Sequence, residues 1–201
     1  MGIFLDIQGA FDNLPHSTIK EALEKTPAKG NVSNWIINMI SSRCIALELA
    51  GEQVVRSISK GCLQGGVLSP FLWNLVVNDL LHSFKGYENL LAYADDLLLL
   101  QSGSDKQTVI ETTEKHLENI IKWCQSKGLE ISQVKTQVIF WTRNKNIHKP
   151  KTFKIKDTII DIVSSTKYLG VIIDEHLNWK DHINQQIKKS KNYTMDISSG
   201  N

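Results

Sequence analysis

The sequence predicts an α+β fold: a split, ferredoxin-like antiparallel sheet with helices on one face, extended by a small C-terminal strand-and-helix unit. Two observations predict it. Hydrophobic patterning runs in the order strand, helices, hairpin, helix, strand pair, helix, strand. The periodicity also switches within the second half, from a helical face of Val109, Thr113, Leu117, Ile120, Ile121 and Cys124 to a two-residue alternation. In that alternation Thr136, Val138 and Phe140 oppose Gln137, Ile139 and Trp141.

Each element has a local reason. Ile3-Phe4-Leu5-Asp6-Ile7 is a buried strand that carries an acid near its end. One helix follows Pro15 to about Lys25, and another runs from about Val32 to Met39, where Trp35, Ile36, Met39 and Ile40 recur at helical spacing. Ala46 to Ala50 and Gln53 to Ile58 form a hairpin around Gly51-Glu52. After a glycine-rich loop, Ser69 caps and Pro70 opens the apolar helix Phe71 to Leu81. Leu90 to Leu100 reads as two short strands with Asp95-Asp96 at their turn, and Ser104 caps the helix that ends at Gly128. Leu129 to Trp141 returns to strand, Phe153 to Val163 to a hairpin, and Tyr168 to Asp174 to a strand. An amphipathic helix begins near Trp179, and the pattern offers no account of residues 193–201. Thr142 to Thr152 resembles a linker, which divides the chain into residues 1–142 and 143–201.

Bulk properties exclude several classes. With 201 residues, 41% hydrophobic and 22% charged, the chain is too apolar for disorder, and no apolar run is long enough to cross a bilayer. No membrane partner is expected. Asp6 stands where a myristoylation signal wants Ser or Thr, and no basic segment precedes an apolar leader, so an intracellular protein is expected. A domain that opens directly on a core strand and its acid reads as a fragment. Cys44, Cys62 and Cys124, odd in number and widely spaced, fit core thiols rather than disulfides or a zinc knuckle, and the six histidines are scattered. The net charge of +2 is small, but Arg143, Lys145, Lys149 and Lys151 cluster, as do Lys188, Lys189 and Lys191. Such clusters also fit a solvated face.

Asp95 and Asp96 are adjacent carboxylates in an apolar run without Lys or Arg, so their mutual repulsion and desolvation need compensation. A divalent cation supplies it, and hard Mg²⁺ suits carboxylate oxygens. With Asp6 alongside, three acids suffice for two ions about 3.5 to 4 Å apart, the arrangement of phosphoryl transfer. The dipeptide alone also fits a polar hairpin turn.

Five segments in order carry a resemblance: Phe4-Leu5-Asp6-Ile7-Gln8-Gly9-Ala10-Phe11-Asp12; Lys60 to Pro70; Tyr93-Ala94-Asp95-Asp96; Gly128-Leu129-Glu130-Ile131 with Lys135-Thr136; and Tyr168-Leu169-Gly170 with Asp174, Leu177, Trp179 and His182. They resemble motifs A to E of non-LTR, LINE-like retrotransposon reverse transcriptases. The resemblance implies a polymerase palm in residues 1–142, its end and the start of a thumb-like region in 143–201, and a fingers segment upstream. It implies catalysis and metal binding by Asp6, Asp95 and Asp96 with the Ile7 carbonyl, two Mg²⁺ ions (Mn²⁺ as substitute), and an RNA template, DNA primer and dNTP as partners. The nucleus follows as the place of action.

By the same resemblance Phe11 is a steric gate beneath the sugar, although a core Phe fits too, and Asp12 is a local cap. Gln64 and Gly65 line the templating base and nucleotide, with Leu63 where the family pattern has Pro, which removes a fixed φ. Lys135 faces the leaving pyrophosphate, or is a solvent lysine on a strand end, and Tyr168, Leu169 and Gly170 hold the primer end. Basic residues from Arg143 to Lys156 contact phosphates. Two alternatives share the sequence: a catalytically silent fragment, and a domesticated nucleic-acid-binding palm module.

Overall fold

The computed structural model describes residues 1–27, 30–62, 65–84, 89–144, 147–155 and 158–198. The chain starts with β1 (Gly2–Asp6), then α1 (Ala10–Asn13), α2 (His16–Glu24), α3 (Asn31–Ser41), the hairpin β2 (Cys44–Leu49) and β3 (Glu52–Ser57), and α4 (Ser69–Ser83). It continues through β4 (Leu90–Tyr93), β5 (Asp96–Leu100), α5 (Lys106–Ser126) and β6 (Gln137–Ile139). Two hairpins follow, β7 (Thr152–Ile155) with β8 (Thr158–Asp161), and β9 (Ser165–Tyr168) with β10 (Val171–Asp174), before α6 (Lys180–Ser198). The central sheet has the order β4-β5-β1-β6 with antiparallel neighbours, the ferredoxin-like arrangement.

Alternation along β1 sorts its side chains between two cores. Ile3, Leu5 and Ile7 face the helices, where they meet Leu97, Leu99 and Val138 and the buried faces of α2, α4 and α5. Phe4 turns the other way, onto Leu98, Ile139, Trp141, Val163, Tyr168 and Ile173. The β9–β10 hairpin therefore covers the helix-free face. Gly2 makes room there for Trp141: a Cβ at this position would lie 2.6 Å from the indole ring. Trp141 Nε1 in turn donates to the Asp174 carbonyl at 3.1 Å. Phe153 and Ile160 of the β7–β8 hairpin belong to the helix-side core.

Several local expectations shift. The first hairpin turns at Ala50-Gly51, because a two-residue loop from Leu49 to Glu52 needs left-handed backbone at both positions, here φ of 53° and 84°. Ser69 is the first residue of α4 rather than its cap; Leu68 stands at the cap without a side-chain bond, and the amide of Ser69 already closes a turn on Gly66. Leu129 to Trp141 is no continuous strand. Thr136 donates through both its amide and its hydroxyl to the Ser132 carbonyl, at 3.0 and 2.7 Å, and this turn leaves only Gln137–Ile139 in the sheet. Tyr168 to Asp174 is a hairpin, turned by Leu169 (φ 47°) and Gly170 (φ 84°). Cys44 is exposed on β2, whereas Cys62 and Cys124 are buried thiols, and burial pushes Cys124 up to about 12. No helix among the described residues is long and apolar enough to cross a membrane.

The cap of α5 is Asp105 rather than Ser104: its carboxylate accepts from the Thr108 amide at 2.7 Å and the Thr108 hydroxyl at 2.8 Å. These bonds, the amide's first, hold Asp105 below the usual carboxylate range. The stabilisation is present above the ordinary carboxylate value and is lost as pH falls through the lowered one. Asp105→Ala is expected to lower Tm by a few degrees at neutral pH, with the gap closing in acid, as followed by circular dichroism. The helix ends as the glycine predicts, with Leu129 and Gly128 (φ 66°) donating to the carbonyls of Cys124 and Gln125.

Candidate active site

The register of β1 against β5 sets Asp6 directly opposite Asp96. Both continue the face of Phe4 and Leu98, so they project from the helix-free side at one end of the sheet. Asp95 occupies the turn between β4 and β5, one residue away. Burial raises Asp96 above the ordinary carboxylate value, the charges of Asp95 and Asp6 raise it further, and Lys135 opposes them. All three acids and Lys135 thus share one electrostatic site. Among the described residues no three acidic, His or Cys side chains close around a single point. What the fold brings together is an opposed pair, Asp6 and Asp96, with a third acid beside it.

Lys135 is the cation of this site, placed there by the turn at Ser132. Its ammonium lies 3.4 Å from each carboxylate oxygen of Asp6 and is 68% exposed, so the pair is weak. The Asp6 Oδ2 atom is enclosed and accepts no hydrogen bond. An enclosed carboxylate oxygen among three acids, met by a long ion pair to an exposed ammonium and by no hydrogen bond, suits a hard divalent ion. The raised value of Asp96 has a sign for stability. Its charged form is penalised in the folded state, so the penalty is absent below the ordinary value of 3.8 and grows as pH rises through the raised one. Asp96→Asn is therefore expected to raise Tm by about 1–2 °C at neutral pH in chelator, with no gain at pH 3, as read by thermal unfolding.

Of the other expected site residues, Tyr168 lies within electrostatic reach of the acids. Tyr168 stacks edge-on against Phe4, ring centroids 5.4 Å apart, and its hydroxyl is pushed up by burial and then by the charge of Asp96. Leu169 and Gly170 form the exposed tip next to it. Phe11, on α1, is half-buried with its ring 5.7 Å from that of Trp73. Ile7 is buried and bridged to Ile131. Gly65 lies in an exposed turn with φ 78°. Leu63 and Gln64 lie outside the described residues.

Sequence reasoning missed two supports. Trp73, fully buried on α4, donates its indole N–H to the Ala94 carbonyl at 2.5 Å, in the turn that carries Asp95. Its apolar helix is legible, but nothing local marks which residue of that helix reaches the turn. Gly61 is the second. Its amide donates to Leu14, the Cys62 amide to Phe11, and the Gly61 carbonyl accepts from Arg43 at 2.7 Å with His16 Nε2 at 3.1 Å. The glycine loop is thereby tied to the segment that follows β1.

Comparison with known proteins agrees with this geometry. Residues 1–173 match the family described as reverse transcriptase (RNA-dependent DNA polymerase). The chain is 27% identical over 183 residues to the putative 115 kDa protein in type-1 retrotransposable element R1DM of Drosophila melanogaster, covering 91% of this chain. It is 29% identical over 187 residues to the Pol polyprotein from type-1 retrotransposable element R2 of Popillia japonica, covering 84% of this chain. It spans only 18% and 26% of those proteins. Among solved structures, apo telomerase from Candida tropicalis superposes with a TM-score of 0.59 at 14% identity, over 89% of this chain and 32% of that one, a likeness of fold. The sheet order, the acids at its end and the match over residues 1–173 lead to one conclusion: this chain belongs to the reverse transcriptase family.

Proposed function

We propose that this chain is the catalytic palm of a retrotransposon's RNA-directed DNA polymerase, which adds deoxynucleotides to a primer 3′-hydroxyl along an RNA template. The observation that carries the reading is the cross-strand pair of Asp6 and Asp96 with Asp95 in the adjoining turn. Asp6 and Asp95, with Asp96 and the Ile7 carbonyl, are the oxygen donors for two Mg²⁺ ions, for which Mn²⁺ substitutes. Such a pair activates the attacking oxygen and stabilises the leaving pyrophosphate.

The chain's own residues do the rest. Phe11 presents the edge of its ring beneath the incoming sugar and excludes a 2′-hydroxyl, held from behind by Trp73. Gly65, with Gln64, lets backbone approach the templating pair. Lys135 exchanges its weak contact with Asp6 for the negative charge that develops on the pyrophosphate. Tyr168, Leu169 and Gly170 hold the primer end, and the nucleus, where DNA is the target, is the place of action.

The test is primer extension on an RNA template with Mg²⁺ or Mn²⁺, by the chain alone and joined to the upstream segment of its Popillia relative. Extension that chelator stops supports the reading; none in either form with either ion refutes it and leaves a binding module or a silent fragment. In the active form, Phe11→Val is expected to reduce discrimination against ribonucleotides by about tenfold or more, measured as the ratio of kcat/KM values. An unchanged ratio makes Phe11 a core residue only.

A further inference from the structure

Asp95 sits on a poorly anchored part of the sheet. β4 is an edge strand, and Leu91, Ala92 and Tyr93 are all exposed. The turn that follows is strained as well. Ala94 has φ 51°, a left-handed conformation that a residue with a Cβ rarely adopts. Pairing across the hairpin sets Tyr93 opposite Asp96, with Ala94 and Asp95 as the two turn residues between them. The hydrogen bond from Trp73 Nε1 to the Ala94 carbonyl, at 2.5 Å, ties this turn to the helical layer.

That bond is hard to break. Trp73 is fully buried, so its N–H has no water to turn to, and an unpaired buried donor is costly. The same side chain stacks on Phe11 with centroids 5.7 Å apart and planes at 42°. One indole therefore touches the turn of Asp95 through its N–H and lies against the ring that follows β1.

We infer that Trp73 is a positioning residue for the cation site: its N–H holds the Ala94 carbonyl, and so sets the Asp95 carboxylate against Asp6 and Asp96, while its ring backs Phe11. The inference rests on the polymerase reading for its catalytic meaning, but cation binding tests it separately. The two contacts are separable by chemistry. Trp73→Phe keeps a ring behind Phe11 and removes the donor. Benzothienylalanine at position 73 keeps the full indole volume, with sulfur in place of N–H, and serves if the phenylalanine variant fails to fold.

The first measurement is Mn²⁺ binding to the full chain by electron paramagnetic resonance. Loss of the N–H is expected to weaken binding about tenfold, the range seen when groups that orient metal ligands are removed. The Trp73 indole ¹H–¹⁵N resonance is expected to shift on Mg²⁺ addition in the parent chain but not in Asp95→Asn. In the primer-extension form, the Mg²⁺ concentration for half-maximal rate rises by the same factor, while ribonucleotide discrimination stays within about twofold of the parent. A variant that loses thermal stability but binds Mn²⁺ within twofold of the parent overturns the inference, because it shows packing alone. Mn²⁺ binding at the acids with no extension by the chain alone or by the joined form refutes the polymerase reading and leaves the positioning role standing.

Discussion

Asp6→Asn is expected to reduce nucleotide incorporation by more than about 10³-fold while leaving the fold at least as stable as the parent. The two effects have opposite signs for one physical reason. Asp6 faces Asp96 across the strand pair, with Asp95 beside them and, among the described residues, the exposed ammonium of Lys135 to offset their charge. Removing one negative charge relieves repulsion in the free protein. It also removes an oxygen donor whose Oδ2 is enclosed and accepts no hydrogen bond. A neutral amide is a poorer ligand for a hard cation, and its NH₂ group points a donor at the place where positive charge must sit. Single-nucleotide incorporation and thermal unfolding, each with and without Mg²⁺, check both halves. The parent should gain stability on adding Mg²⁺, and the variant should gain much less. Incorporation within tenfold of the parent would remove Asp6 from the cation site.

Gly61→Ala is expected to destabilise the chain by about 2–4 kcal/mol, lowering Tm by about 5–12 °C. Gly61 has φ 88°, where an L side chain is strained, and its added Cβ would lie 2.8 Å from the Asp12 carbonyl oxygen. The obstacle is backbone, and the backbone cannot give way. Gly61 is held on one side by the Leu14 carbonyl and on the other by Arg43, and Cys62 next to it is bonded to Phe11. Any shift that admits the methyl group must break these bonds or move α1. Because α1 carries Phe11, the variant should also lose incorporation beyond what its lower stability explains. Denaturant unfolding together with incorporation at a temperature where both proteins are folded separates the two. A Tm within about 2 °C of the parent would mean that the loop relaxes freely, contrary to its hydrogen bonding.

Much of the chemistry is legible in the order of the residues. Acids within apolar runs are so unfavourable without a partner that Asp6, Asp95 and Asp96 stand out as candidates. Periodicity likewise places the helices within a residue or two, as with α3 and α5. Expectation and structure part where neighbouring residues are chemically equivalent or where backbone conformation breaks a residue's usual preference. Ser104 and Asp105 are both good caps, and the path of the chain chooses the second. Leu169 adopts a left-handed conformation that leucine rarely takes, so a tight hairpin reads as one strand. Thr136 bonds back to Ser132, and that turn brings Lys135 to Asp6, where an uninterrupted strand would have left it on an exposed end.

By itself the sequence determined which groups are candidates for the chemistry and the period with which each segment buries its apolar side. Those properties belong to single residues and short windows. Tertiary structure alone decided that β1 lies between β5 and β6, that Asp6 stands opposite Asp96, and that the indole of Trp73 reaches the carbonyl of Ala94. Strand order and register come from the way all the apolar faces close on one another at once. A one-residue slip of β1 would move Ile3, Leu5 and Ile7 out of the core and take Asp6 away from its partner acid.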